Sequence, residues 1–165
     1  MTILKADKID EVRHALERLN AEASTADRLM EGICHLLNEQ MLKYNWAGFY
    51  MLEAGTTPPV LVLGHFRGAM TPHTRISLNQ GICGAAASSG KTVVVDDVKE
   101  DPRYLACSLE TKSEIVVPVF SRGTVVGELD IDSHTTAAFT DADRSFLEQV
   151  AEIVGDFISR ADALR

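Results

Sequence analysis

The stretch from Ser113 to Asp132 leaves this chain the least freedom in how it can fold. Two runs rich in valine and isoleucine, Ser113 to Phe120 and Thr124 to Asp132, are separated only by Ser121-Arg122-Gly123. The pattern predicts a β-hairpin, because β-branched residues suit a pleated surface and glycine takes the left-handed backbone that a short loop needs. A three-residue loop sets Phe120 opposite Thr124 and Glu114 opposite Asp130, with both acids on one face. A two-residue loop would put them on opposite faces. Along the second run, Val125, Gly127, Leu129 and Ile131 are expected on one side and Val126, Glu128, Asp130 and Asp132 on the other. Carboxylates crowded in this way cannot all ionise freely, and one kept protonated near neutral pH is a proton donor. The opposing reading is the ordinary wet face of an antiparallel sheet.

The rest of the chain supplies what such a hairpin packs against. Ile9, Val12, Leu16 and Leu19 recur at helical spacing, as do Leu29, Met30, Ile33, Leu36, Leu37 and Met41, which places two amphipathic helices in residues 1–43. Ser24 or Thr25 would cap the second. Trp46 to Leu52 is apolar on both alternations, as in a central strand covered on both faces. Val60 to Phe66 reads as its antiparallel return, Thr74 to Leu78 as a shorter strand, Gly81 to Gly90 as a short helix of small residues and Thr92 to Val95 as a β-branched run. Asp96 to Ser113 lacks periodicity and suits a functional loop. Thr140 and Asp143 form a capping-box pattern at the start of a helix over 140–163, whose buried stripe runs from Phe146 to Ile158. The expected fold is α+β: one domain over 1–165, with a central antiparallel sheet and pocket loops in 45–133. The N- and C-terminal helices lie on one face and a loop-covered pocket on the other.

Charge and cysteine content narrow the function classes. With 16 basic against 24 acidic residues and no basic stripe, nucleic acid is not an expected partner. No apolar run approaches a membrane span and no signal peptide is visible, so a cytoplasmic location with no membrane association is expected. Three cysteines then fit reduced thiols better than a disulfide framework. Cys34 falls beside the apolar stripe of the second helix and is assigned to packing. Cys83, between Gly81 and Gly84, and Cys107, in the irregular segment close to the acidic face, are either small buried hydrophobes or a pair able to cycle between dithiol and disulfide. The five histidines show no ligand spacing. The Asp130-x-Asp132 pair lacks the glycine and the final glutamate of a calcium loop, so no metal is expected. Trp46 and Tyr50 share a strand face and either wall a pocket or belong to the core.

Taken together, Asn45-Trp-Ala-Gly-Phe-Tyr50, Gly81-Ile-Cys-Gly84, Ala106-Cys107 with Ser113-Glu-Ile-Val-Val-Pro118, and Leu129-Asp-Ile-Asp-Ser133 with Phe139-Thr-Asp141 resemble a GAF domain of the free methionine-(R)-sulfoxide reductase type. The resemblance spans Leu29 to Val154. It implies that Cys107 attacks the sulfoxide sulfur of free methionine-(R)-sulfoxide and is left as a sulfenic acid. Cys83 then resolves it, and thioredoxin returns the disulfide to dithiol with no bound cofactor. It also implies that Glu114, Asp130 and Asp132 hold the substrate amino group and assist protonation of the oxygen, while Trp46 and Tyr50 line the methyl side. Arg103 and Lys112, flanking Cys107, are candidates to offset the effect of the carboxylates on the attacking thiol. Family members often carry a further cysteine before the Gly-x-Cys-Gly turn, where Ala69 to Arg75 has none. The alternative is a non-catalytic GAF sensor or regulatory module that binds a small molecule and transmits its state through the terminal helices of a homodimer.

Overall fold

Apolar residues three and four apart produce helix α1 (Lys5–Glu22), which buries Ile9, Val12 and Leu16, and α2 (Ala26–Gln40), which buries Leu29, Met30, Ile33, Cys34 and Leu37. The computed structural model describes residues 5–106 and 108–164. Of the two candidate caps, Thr25 starts α2, its hydroxyl accepting the Arg28 amide at 3.1 Å. Strands β1 (Trp46–Leu52), β2 (Val60–Arg67) and β3 (Arg75–Ser77) precede helix α3 (Gly81–Ser89). Strand β4 (Val93–Val95) and a short 3-10 turn (Val98–Glu100) lead to β5 (Ser113–Ser121), β6 (Thr124–Ser133) and helix α4 (Asp141–Ala163). The strands form one antiparallel sheet in the order β3-β2-β1-β6-β5-β4, so β1 is central, as its unbroken apolar run predicts.

The sheet carries a core on each face. On one, α1, α2 and α4 cover Phe49, Ile115, Leu129 and Ile131, all fully buried. Each such side chain contributes about 1.5–3 kcal/mol by leaving water, and this face therefore supplies the larger share of the stabilisation. On the other, α3 and the loops pack over Trp46, Tyr50, Leu61, Ile76 and Val116. Fewer apolar side chains lie here, which leaves room for polar groups. No helix among the described residues is long and apolar enough to cross a membrane.

The hairpin departs from its expected register. Ser121 pairs directly with Thr124, so the turn has two residues, and Arg122 and Gly123 both take left-handed backbone at φ 53° and 76°. That loop alone would have sent Glu114 and the β6 acids to opposite faces. A bulge between the Phe120–Val125 and Val119–Gly127 pairs adds one residue and restores the face. Glu114 consequently lies opposite Asp132, and Val116 takes the place opposite Asp130 that Glu114 was expected to hold. Before the bulge the alternation is reversed: Val125 packs with the α3 face and Val126 with the helical face.

At the opposite end, α4 opens on the expected capping box of Thr140 and Asp143. The buried Asp143 carboxylate also pairs with Lys5 and accepts from the Tyr44 hydroxyl at 2.7 Å. One side chain thus ties α1, the approach to β1 and α4 together.

Candidate active site

The β1–β6 and β5–β6 registers lay out the α3 face as rows across three strands. Glu114, Asp132 and Trp46 form one row; Val116, Asp130 and Gly48 the next; Pro118, Glu128 and Tyr50 the third. The acids are not a wet face. Glu114, Glu128, Asp130 and Asp132 are 4%, 0%, 2% and 3% exposed, because α3 packs over them. Glycine at position 48 is required by the indole of Trp46, which lies across it where a Cβ would stand. That indole stacks on Phe66 at 5.5 Å and on Tyr50 at 6.3 Å between centroids.

The Gly81-Ile-Cys-Gly84 turn brings sulfur to this layer. Gly81 has φ +68° with Leu105 packed where a side chain would project, and a Cβ on Gly84 would stand 2.9 Å from the Ser77 and Leu78 carbonyl oxygens. Both glycines let the first turn of α3 press against the sheet. There the buried Cys83 thiol donates to Asp130 Oδ2 at 3.4 Å.

Electrostatics follow from this crowding. Burial, reinforced by Asp130 and Asp132, raises the Glu114 carboxyl well above the ordinary range. Burial likewise raises Glu128 and Asp132 well above it, each with a smaller contribution from Asp130. Burial raises Asp130 too, partly offset by hydrogen bonds from Glu114 and Cys83. Burial raises Glu114, Asp130 and Asp132 together, so the group as a whole favours keeping a shared proton. The Cys83 thiol is pushed up by burial first and then by Asp130, Glu128 and Glu114. Burial within the helical core raises Cys34 to about 12, its thiol donating to the His65 carbonyl at 3.4 Å. Its assignment to packing holds.

The polar ends of the two aromatics anchor a cover. Trp46 Nε1 donates to the Ala69 carbonyl at 3.0 Å, and the Tyr50 hydroxyl to that of His73 at 2.7 Å. The His73 ring in turn meets the Ala106 carbonyl at 3.1 Å, joining this loop to the segment that leads to Cys107. Cys107 itself lies outside the described residues. Arg103, one of the cations proposed to offset the acids, is engaged by Asp101 through its guanidinium at 2.7 Å and 3.0 Å. Alternation had already put Glu128 on the acidic face, though not among the expected substrate contacts; His73 had no signal in the sequence, since its partner is 33 residues away.

Two small cavities flank the acids. One of about 10 Å³ is lined by Tyr50, Ile82, Cys83, Leu105, Glu114 and Asp130. The other, about 70 Å³, lies among Trp46, Met70, Ser108, Asp132 and His134. A larger open groove of about 680 Å³ runs between the β5–β6 turn and α4, with Arg122, Arg144, Glu148 and Glu152 on its walls. It holds mixed charge and no cysteine among its lining residues. The acid and thiol layer is the candidate site.

Residues 25–157 match the GAF domain family. The free methionine-R-sulfoxide reductase of Saccharomyces cerevisiae is 40% identical over 123 residues, which are 74% of this chain and 67% of that protein. The chain is a GAF-domain protein of the free methionine-R-sulfoxide reductase family. The Escherichia coli reductase of the same description is 36% identical, covering 77% of this chain and 74% of its own. The solved structure of the Neisseria meningitidis reductase in complex with its substrate superposes with a TM-score of 0.90 at 35% identity, over 99% of this chain and 96% of that one. The GAF-like architecture expected from the motifs is thus the one observed.

Proposed function

We propose that this chain reduces free methionine-(R)-sulfoxide to methionine. The observation that carries the reading is the buried acid layer beside Cys83, alongside Trp46 and Tyr50, in a chain whose relatives include free methionine-R-sulfoxide reductases. Asp130 Oδ1 and Asp132 Oδ1 have no hydrogen-bond partner, and the substrate ammonium would supply one. The aromatic pair would receive the methyl end. The cavity beside Cys83 is far smaller than an amino acid, so binding requires side chains around it to move.

In the proposed cycle the Cys107 thiolate attacks the sulfoxide sulfur, and the oxygen passes to the cysteine as it is protonated. Methionine leaves and Cys107 becomes a sulfenic acid. Glu114, whose carboxyl burial raises above the ordinary range, would supply that proton. The Cys83 thiol then attacks the sulfenic sulfur, forming a disulfide and releasing water, and a thioredoxin dithiol reduces the disulfide. A protonated Glu114 also weakens the negative field against which the attacking thiolate forms.

The test supplies thioredoxin, its reductase and NADPH, and compares the free R-sulfoxide, the free S-sulfoxide and a peptide-bound form. Turnover of the first alone is expected. Cys107→Ser should abolish it, and Cys83→Ser should release one methionine per site and stop. Full turnover by both variants would overturn the cycle. Ligand-induced stabilisation without turnover would point to a sensor.

A further inference from the structure

The four acids of the site are each more than nine-tenths buried, yet none takes part in an ion pair among the described residues. Glu128 is fully buried against the Cys83 thiol, and one oxygen each of Asp130 and Asp132 lacks a hydrogen-bond partner. An unpaired carboxylate in such surroundings either keeps its proton or takes a cation. The third ingredient is sulfur. Cys83 Sγ and one carboxylate oxygen each from Glu114 and Asp130 lie within 4.8 Å of one another, close enough for a single ion to touch all three after small side-chain rotations.

We propose that Cys83, Glu114 and Asp130 bind Zn²⁺, with a fourth position left for water. The proposal adds an inhibitory ligand to the site described above, and only its inhibitory arm rests on the reductase reading. Donor chemistry selects the metal. Calcium and magnesium take six or more oxygen donors, whereas one thiolate with two carboxylates suits a tetrahedral, thiophilic dication. The neighbouring cavity of about 10 Å³ is on the scale of an ion or a single water. On binding, a Zn–S bond replaces the S–H bond of Cys83, and the thiol proton together with the proton held among the carboxyls leaves to solvent, with no change of oxidation state. Zinc would thus occupy the position proposed for the substrate ammonium and hold the resolving sulfur. Sequence spacing could not reveal the site, because its donors come from α3, β5 and β6.

The experiment titrates the reduced full chain with Zn²⁺ by calorimetry and with Co²⁺ by absorption, where a cobalt–thiolate bond gives a near-ultraviolet charge-transfer band. One equivalent of each is expected, with the band present. Cys83→Ser should remove the band, and both it and Asp130→Asn should weaken Zn²⁺ binding at least about tenfold, while Cys107→Ser retains band and affinity. Thermal melts of the variants confirm folding, and the two ligand substitutions report independently. A missing band, or unchanged Zn²⁺ affinity in folded Cys83→Ser, overturns the proposal, as does a band lost in Cys107→Ser but kept in Cys83→Ser. With an active enzyme, Zn²⁺ should raise the KM for the sulfoxide. Metal binding as expected in a chain without turnover would uphold the zinc site and defeat the reductase reading.

Discussion

At the scale of single residues, the site depends on where protons rest. Glu114→Gln keeps shape and donor capacity but cannot release a proton, so kcat for sulfoxide reduction is expected to fall about 10²-fold or more. An unchanged kcat measured over the same substrate range would remove Glu114 from the proton-transfer role. Asp143 shows the opposite environment. Burial pulls its carboxyl up, but Lys5, Tyr44 and Thr140 together hold it below the ordinary range. Removing the Tyr44 hydroxyl leaves a buried charge short of one donor, so Tyr44→Phe should lower unfolding free energy by about 1.5–3 kcal/mol in denaturant titrations. Residue chemistry was partly legible in advance: Glu114, Asp130, Asp132 and Cys83 do meet, as the motifs implied. Their burial was not legible, because an alternating acidic strand reads the same whether water or a helix covers it.

Among the elements, the β5–β6 hairpin decides most. A type I′ turn requires positive φ at both central residues, and Arg122 adopts it at φ 53° without glycine's freedom. Arg122→Asn should therefore raise stability by roughly 0.5–1 kcal/mol, read as a higher denaturant midpoint at unchanged slope. A lower midpoint would show that the arginine contributes more through contacts than it loses in backbone strain. The same hairpin seats α4, since a Cβ on Gly155 would collide with the Phe120 carbonyl oxygen. Gly155→Ala should destabilise the chain by about 1–3 kcal/mol despite alanine's better helix propensity. Helix starts, the strand order of the hairpins and the apolar faces were readable from spacing. The bulge near Val126 was not, since no local residue preference demanded it.

For the molecule as a whole, the two kinds of buried acid set opposing pH dependences. Glu114, Glu128 and Asp132 have raised folded values, so the stability they contribute is fully present below the ordinary carboxylate range, about 4, and is lost as pH rises through the raised values. Asp143 is lowered, and its contribution is present above that range and lost as pH falls below it. Maximum stability is therefore expected on the mildly acidic side, with a decline toward neutrality that Glu128→Gln makes shallower. Chemical denaturation at several pH values measures this, and equal slopes in both proteins would contradict it. The sequence by itself determined which segments are helix or strand and which faces are apolar, because periodicity and capping act between residues a few positions apart. Only the tertiary structure decided that Glu114 stands opposite Asp132, that the acids are dry, and that Cys83 touches Asp130. Those outcomes depend on one inserted residue in a strand pairing and on a helix closing from 47 residues away, and no local pattern encodes either.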